Sequence, residues 1–176
     1  MVGPAQSLTD EFVRISRREL SQTLERIETA VGKLAPEDVW RRAHDNENAV
    51  GNLLLHLAGN VRQWIVSGLG GASDARDRAS EFAERRELPA ADLLAVLRET
   101  VREADAVIAS LSPEDLLAPR PIQGFEVSGM YVVYHVVEHF GQHAGQILWI
   151  AKNRSGEDLG FYRHLNATGR ASGSEP

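Results

Sequence analysis

The chain has 176 residues, 19 Lys+Arg against 25 Asp+Glu, and a formal charge of −6. That length suits one domain, and an acidic balance with its arginines scattered among Glu and Asp argues against a nucleic-acid partner. The absence of Cys removes disulfides, thiolate nucleophiles, CxxC pairs and Cys-ligated zinc.

Helical periodicity dominates. The first helix is expected over about 7–34, opened by Ser7-Leu-Thr-Asp10 as a capping box and striped by Val13, Leu20, Leu24, Ile27, Val31 and Leu34. Pro36 ends it. The second, about 47–68, carries Val50, Leu53, Leu57, Val61 and Trp64 at steps of three or four. The link over residues 69–89, with its mixed-charge run from Asp74 to Glu87, is long enough to cross the whole bundle and otherwise reads as a solvated face. The third helix, about 90–111, is striped by Leu94, Leu97, Val101, Ala104, Ile108 and Leu111. The Pro- and Gly-containing stretch from Ala118 to Val127 reads as connection rather than strand. The fourth helix, about 129–153, is apolar on most sides, as expected of a central helix or one at a subunit contact.

The fold expected is therefore all-α: a single domain over 1–176, a four-helix bundle core over 7–153 and a tail over 154–176. The long link between helices two and three implies an up-down-down-up order. No apolar run reaches the ~18–20 residues of a membrane helix, and the start MVGPAQSLTDEF has neither the basic region nor the apolar stretch of a signal peptide. A cytoplasmic location is expected. There is also an internal echo: Leu34-Ala-Pro-Glu-Asp-Val-Trp40 matches Leu111-Ser-Pro-Glu-Asp-Leu-Leu117, and each precedes a helix with an early histidine, His56 and His135. It reads either as a common stop-and-restart phrase, Pro at N1 with acids in the first turn, or as two related helical hairpins.

The histidines carry the chemistry. His135, His139 and His143 stand at i, i+4 and i+8, so adjacent pairs share one helix face and can turn two imidazoles toward one ion. The outer two are ~12 Å apart along the axis, too far for all three to serve a single ion. A third ligand must come from elsewhere, and His56, among Leu54, Leu55 and Leu57, is the best candidate. Burying several imidazoles without compensation is costly, which favours a metal, with a pH-sensitive His cluster as the alternative. His44 and His164 fit neither. Positions 132, 136 and 140 are Val, Val and Phe, which excludes a di-iron carboxylate bundle. There is no P-loop, nucleophile elbow or dinucleotide fingerprint. Gly141 and Gly145 permit the close approach of another helix, so a homodimer is expected.

The segments Asn52-Leu-Leu-Leu-His56-Leu-Ala-Gly-Asn60 and His135-x3-His139-x3-His143-Ala-Gly-Gln146-Ile147 together resemble the DinB/YfiT-like superfamily, over about residues 8–153. The resemblance implies an up-down-down-up bundle, often dimeric, with a divalent ion held by His56, His139 and His143, and it makes His135 a neighbour. It also implies a thiol-dependent transferase or isomerase using bacillithiol, mycothiol or glutathione; other relatives are described as metal-dependent hydrolases. The expectation is a metal-dependent enzyme, an S-transferase taking a low-molecular-weight thiol and a small-molecule substrate. The alternatives are a hydrolase, or a non-catalytic metal- or ligand-binding stress-response bundle. Zinc, nickel or iron would suit the imidazoles. Glu138, Tyr134, His135 and Asn60 are the candidate acid–base or supporting groups.

Overall fold

The computed structural model describes residues 3–163; His164 and the end of the tail lie outside them. Helix α1 spans Pro4–Val31 and buries Leu20, Leu24, Ile27 and Val31. It starts before the expected capping box because Pro4, with no N–H to satisfy and φ already helical, suits the first turn. Ser7 is thus inside the helix, donating its hydroxyl back to Gly3 O at 3.3 Å. After a 3-10 turn at Pro36–Val39 comes α2, Val50–Val61. The expected continuous helix is not kept: Arg62–Ser67 forms a π-helical turn, with Gly68 N–H bonded to Gln63 O at 3.0 Å. Such wide turns often mark functional sites, and this one carries Trp64.

The long link is not bare coil. It contains a short helix, α3, Arg78–Ala83, begun by Asp77 accepting from Ser80 N–H. Helix α4 spans Ala90–Ala109, and α5, Pro113–Leu117, is started by a capping box between Ser112 and Asp115. Thus the two Leu-x-Pro-Glu-Asp phrases both place Pro at the opening of a helical turn, one 3-10 and one α.

The protein is mostly helical, as expected, and a small hairpin replaces the connection expected over residues 118–127. Strands β1, Pro119–Ile122, and β2, Phe125–Ser128, pair antiparallel with Ile122 opposite Phe125. Gln123 and Gly124 both have positive φ, 52° and 81°, the backbone of a tight two-residue hairpin turn. Prolines at 119 and 121 are tolerated because a two-stranded ribbon is all edge.

Helix α6, Gly129–Ser155, packs on α1 and α2, while α4 packs on α1 and α2 from the other side. Ile27, Leu53, Leu54, Leu57, Leu97, Ile108, Phe140 and Ile147 are fully buried between them. Each contributes about 1.5–3 kcal/mol over an exposed position. Helix α6 has a wet side after all: Tyr134 and Trp149 are 60% and 66% exposed, and a Cβ on Gly141 or Gly145 would touch nothing. Among the described residues no helix is long and apolar enough to cross a membrane.

Candidate metal centre

The inward face of α2 and one face of α6 bring His56, His139 and His143 together. Their nearest ring nitrogens lie within 4.8 Å of one another. His139 Nε2 is 3.1 Å from His56 Nε2 and 3.2 Å from His143 Nε2. His135 is not part of this trio. It lies one turn earlier on α6, its ring 4.2 Å from that of Trp64 and 6.1 Å from that of Tyr131.

The other ring nitrogens decide how the trio is protonated. His56 Nδ1 is 2.8 Å from Glu81 Oε2, and a carboxylate with this partner accepts, so Nδ1 carries the proton. His143 Nδ1 donates to Gln146 Oε1 at 3.0 Å. Both Nε2 atoms are then lone pairs aimed at His139 Nε2, which has at most one proton to give. At least one of those two lone pairs is left without a donor, and buried His139 Nδ1 has no partner among the described residues. Burial first, then the neighbouring His143, His56 and His135 and the Arg76 guanidinium push the His139 pKa down to about 3. Burial also lowers that of His143, against the Gln146 hydrogen bond. Converging imidazole nitrogens, with the far sides of His56 and His143 hydrogen-bonded, fit a divalent ion.

Glu81 comes from α3, within the mixed-charge run that reads in sequence as a solvated face. That reading is corrected here. Arg76 and Glu81 form a two-pronged ion pair, Nε to Oε1 at 2.7 Å and Nη2 to Oε2 at 2.9 Å, with side chains only 5% and 10% exposed. Burial works against the Glu81 charge, but hydrogen bonds from Arg76 and then His56, with their charges, hold its pKa below the usual carboxylate value. Two residues of α2 make room for this arm and fix it. Gly59 lies so close that a Cβ would sit 2.0 Å from Glu81 Oε1. Asn52, one turn before His56 and buried, donates to Glu81 O at 2.9 Å and Glu84 O at 3.2 Å and accepts from Arg42.

Beside the trio lies a cavity of about 310 Å³ walled by His56, His139, His135, Asn60, Trp64 and the hairpin residues Gln123, Phe125 and Val127. Of the four candidate supporting groups, Asn60 and His135 reach it. Tyr134 and Glu138 are exposed on α6, and Glu138 accepts from Gln142. Burial lowers the His135 pKa, against the pull of Glu138. A larger groove of about 690 Å³ between α1 and α4 holds no histidine, and Arg17, Arg98 and Arg102 in it are matched by Asp105, Glu28 and Glu99.

Residues 17–150, most of the chain, match the family described as mycothiol-S-transferase. The chain belongs to that family. The fold resembles that of solved DinB-like proteins: one from Bacillus cereus superposes with TM-score 0.63 at 14% identity, covering 85% of this chain and 94% of that one. A DinB-like protein from Bacillus subtilis gives TM-score 0.62 at 18% identity, with 86% and 97% covered. A conserved protein from Enterococcus faecalis gives 0.69 at 14%, with 82% and 97% covered. At these identities the three support the fold alone. No curated protein matches the sequence.

Arg76 and Glu81 escape a reading of periodicity, which places Trp64 on the apolar stripe of the second helix but not on a cavity wall. The one sequence signal for the arm is Asp77 three residues before Ser80, a helix-start pattern in the middle of an apparently featureless charge run.

Proposed function

We propose that this member of the mycothiol S-transferase family is a metal-dependent enzyme. It joins the sulfur of a low-molecular-weight thiol to an electrophilic small molecule. His56, His139 and His143 would hold the ion, and zinc, nickel or iron suits three imidazoles. A divalent cation bound there would favour the ionised form of a thiol at neutral pH. Since the chain has no Cys, the sulfur must belong to a cosubstrate. In the transfer the thiol gives up its proton, a sulfur–carbon bond forms, and the leaving group departs with the electron pair of its bond to carbon.

The observation that carries this reading is the convergence of the three Nε2 atoms, that of His139 lying 3.1 Å from His56 and 3.2 Å from His143, with Nδ1 of His56 and His143 already committed to Glu81 and Gln146. Glu81 and Gln146 orient the rings. Neutral His135, on the cavity wall, is the group suited to accept the thiol proton, and Asn60 beside it to orient a substrate. The reading includes an up-down-down-up helix order, a cytoplasmic setting and a homodimer built on the wet stripe of α6.

The test begins with elemental analysis of protein purified without chelator or nickel resin. We expect close to one equivalent of metal, lost in His139→Ala. Metal-loaded protein is then assayed with mycothiol, bacillithiol and glutathione against 1-chloro-2,4-dinitrobenzene, with ester and amide substrates alongside and His56→Ala as the blank. Turnover equal in wild type and blank would overturn the enzyme reading; hydrolysis without thiol transfer would replace it with a hydrolase.

A further inference from the structure

The cavity beside the histidines differs from the rest of the protein in charge. The chain is acidic overall, yet among the described residues the cavity wall has two arginines, Arg76 and Arg78, and no Asp or Glu. Arg76 is matched by Glu81. Arg78 is not matched: its guanidinium lies over the Phe82 ring, 4.8 Å from the centroid, and it pairs with no carboxylate among the described residues. By contrast Arg76 and Arg86, on either side of it in sequence, meet Glu81 and Glu84 at 2.7 and 2.5 Å.

Two residues that line the cavity also carry buried polar atoms with nothing to bond. Trp64 is 3% exposed and Asn60 4%; Trp64 Nε1 and Asn60 Oδ1 have no partner among the described residues. Both residues line the cavity. A buried donor or acceptor left unmade is costly in a folded protein, and an N–H of this kind on the same cavity wall as an unmatched guanidinium suits an anionic acceptor. Guanidinium geometry suits the planar carboxylate in particular. At about 310 Å³ the cavity is at the small end of ligand sites, which suits a compact substrate rather than a bulky thiol.

We infer that this cavity is the subsite for the electrophilic substrate and that the substrate carries a carboxylate, received by Arg78 at the mouth and by Trp64 Nε1–H on the wall. Asn60 Oδ1 accepts from a hydroxyl or N–H elsewhere on the same molecule. The inference rests on the S-transfer reading for the word electrophile; the carboxylate preference itself is a property of the cavity.

Trans-cinnamate and trans-cinnamamide are probes of nearly equal shape that differ in charge. Equilibrium dialysis is run on zinc-loaded and on chelator-stripped protein. Cinnamate is expected to bind about tenfold tighter than the amide in both forms, the scale of one charge-assisted hydrogen bond. Arg78→Gln, at an exposed position where folding is not at stake, abolishes most of that ratio, and Arg78→Lys restores part of it. Trp64→Phe keeps a ring and removes the N–H, and weakens cinnamate more than the amide. Equal affinity for the two probes, no binding of cinnamate, or a preference that survives Arg78→Gln overturns the proposal. So does a preference that disappears with the metal, which would assign it to the ion. Because dialysis reads binding without turnover, a failed transferase assay leaves this result standing, and a failure here leaves the transferase reading standing.

Discussion

Glu81 Oε2 accepts from His56 Nδ1 at 2.8 Å although the two residues are 25 positions apart, on a short helix in the long link and on a core helix. The link is therefore part of the site. Glu81 fixes which nitrogen of His56 is bare, Arg76 keeps Glu81 charged in a buried setting, and Asn52 ties the backbone of α3 to α2.

Glu81→Gln tests that chain of dependence. It removes the charge that balances Arg76 and allows the amide to offer His56 an N–H instead of an acceptor. Breaking one side of a buried pair costs about 3–5 kcal/mol, and losing the carboxylate behind a ligating histidine weakens metal binding ~10–100-fold. Urea unfolding of metal-free protein reads the first effect and competition with a chromogenic chelator reads the second. Wild-type metal affinity in the variant would show that the pair is only a structural strut.

Gly59→Ala approaches the same contact from α2. The new methyl would overlap Glu81 Oε1 and crowd Arg76 Nε, 2.9 Å away, so α3 must lift away from α2. Overpacking of this kind costs about 1–3 kcal/mol. Because the displaced group is the partner of His56, metal affinity is expected to fall along with stability. A methyl tolerated with no change in either would mean that α3 can shift without disturbing the histidine.

The acid limb of stability follows from His139. Its pKa in the folded chain is lowered from 6.5 to about 3, by burial first. Between those values the unfolded chain binds a proton that the folded chain refuses, so stability rises with pH across this window. Metal-free protein should thus lose stability as pH falls from 6.5 toward 3 and be insensitive to this group above 6.5. Urea midpoints measured along that range check it, and His139→Gln should flatten the slope.

How much of this was legible in the sequence depends on what held each part in place. The stripe of Leu20, Leu24 and Ile27, and that of Leu97, Val101, Ala104 and Ile108, are buried as their spacing requires, because each faces a single core. The i, i+4 pair His139 and His143 is helix geometry and could be read in the same way. Choosing that pair over His135 could not, since it depends on where along α6 the helix crosses α2. Arg76 and Glu81 were invisible for a different reason: they belong to no repeating face, and an ion pair locked by Gly59 and Asn52 looks in sequence like any mixed-charge link. The hairpin was missed because its prolines suppress a strand reading, although Gln123-Gly124 supplies the turn.

The wet stripe of α6 gives the last test. Trp149 is 66% exposed, Tyr134 60%, and Gly141 and Gly145 between them have open space above their Cα atoms. Two large exposed aromatics flanking a glycine strip, with the Glu138–Gln142 pair beside it, offer a second copy both apolar anchors and room for close approach. A second copy laid along the stripe covers both aromatics and uses the glycines for close approach. Trp149→Glu puts a charge in the middle of such a contact and should shift the protein from dimer to monomer in sedimentation at micromolar concentration. Trp149 lies outside the cavity wall beside the histidines, so metal content should be unchanged. A monomeric wild type at that concentration would overturn the dimer while leaving the three-histidine centre, built within one chain, untouched.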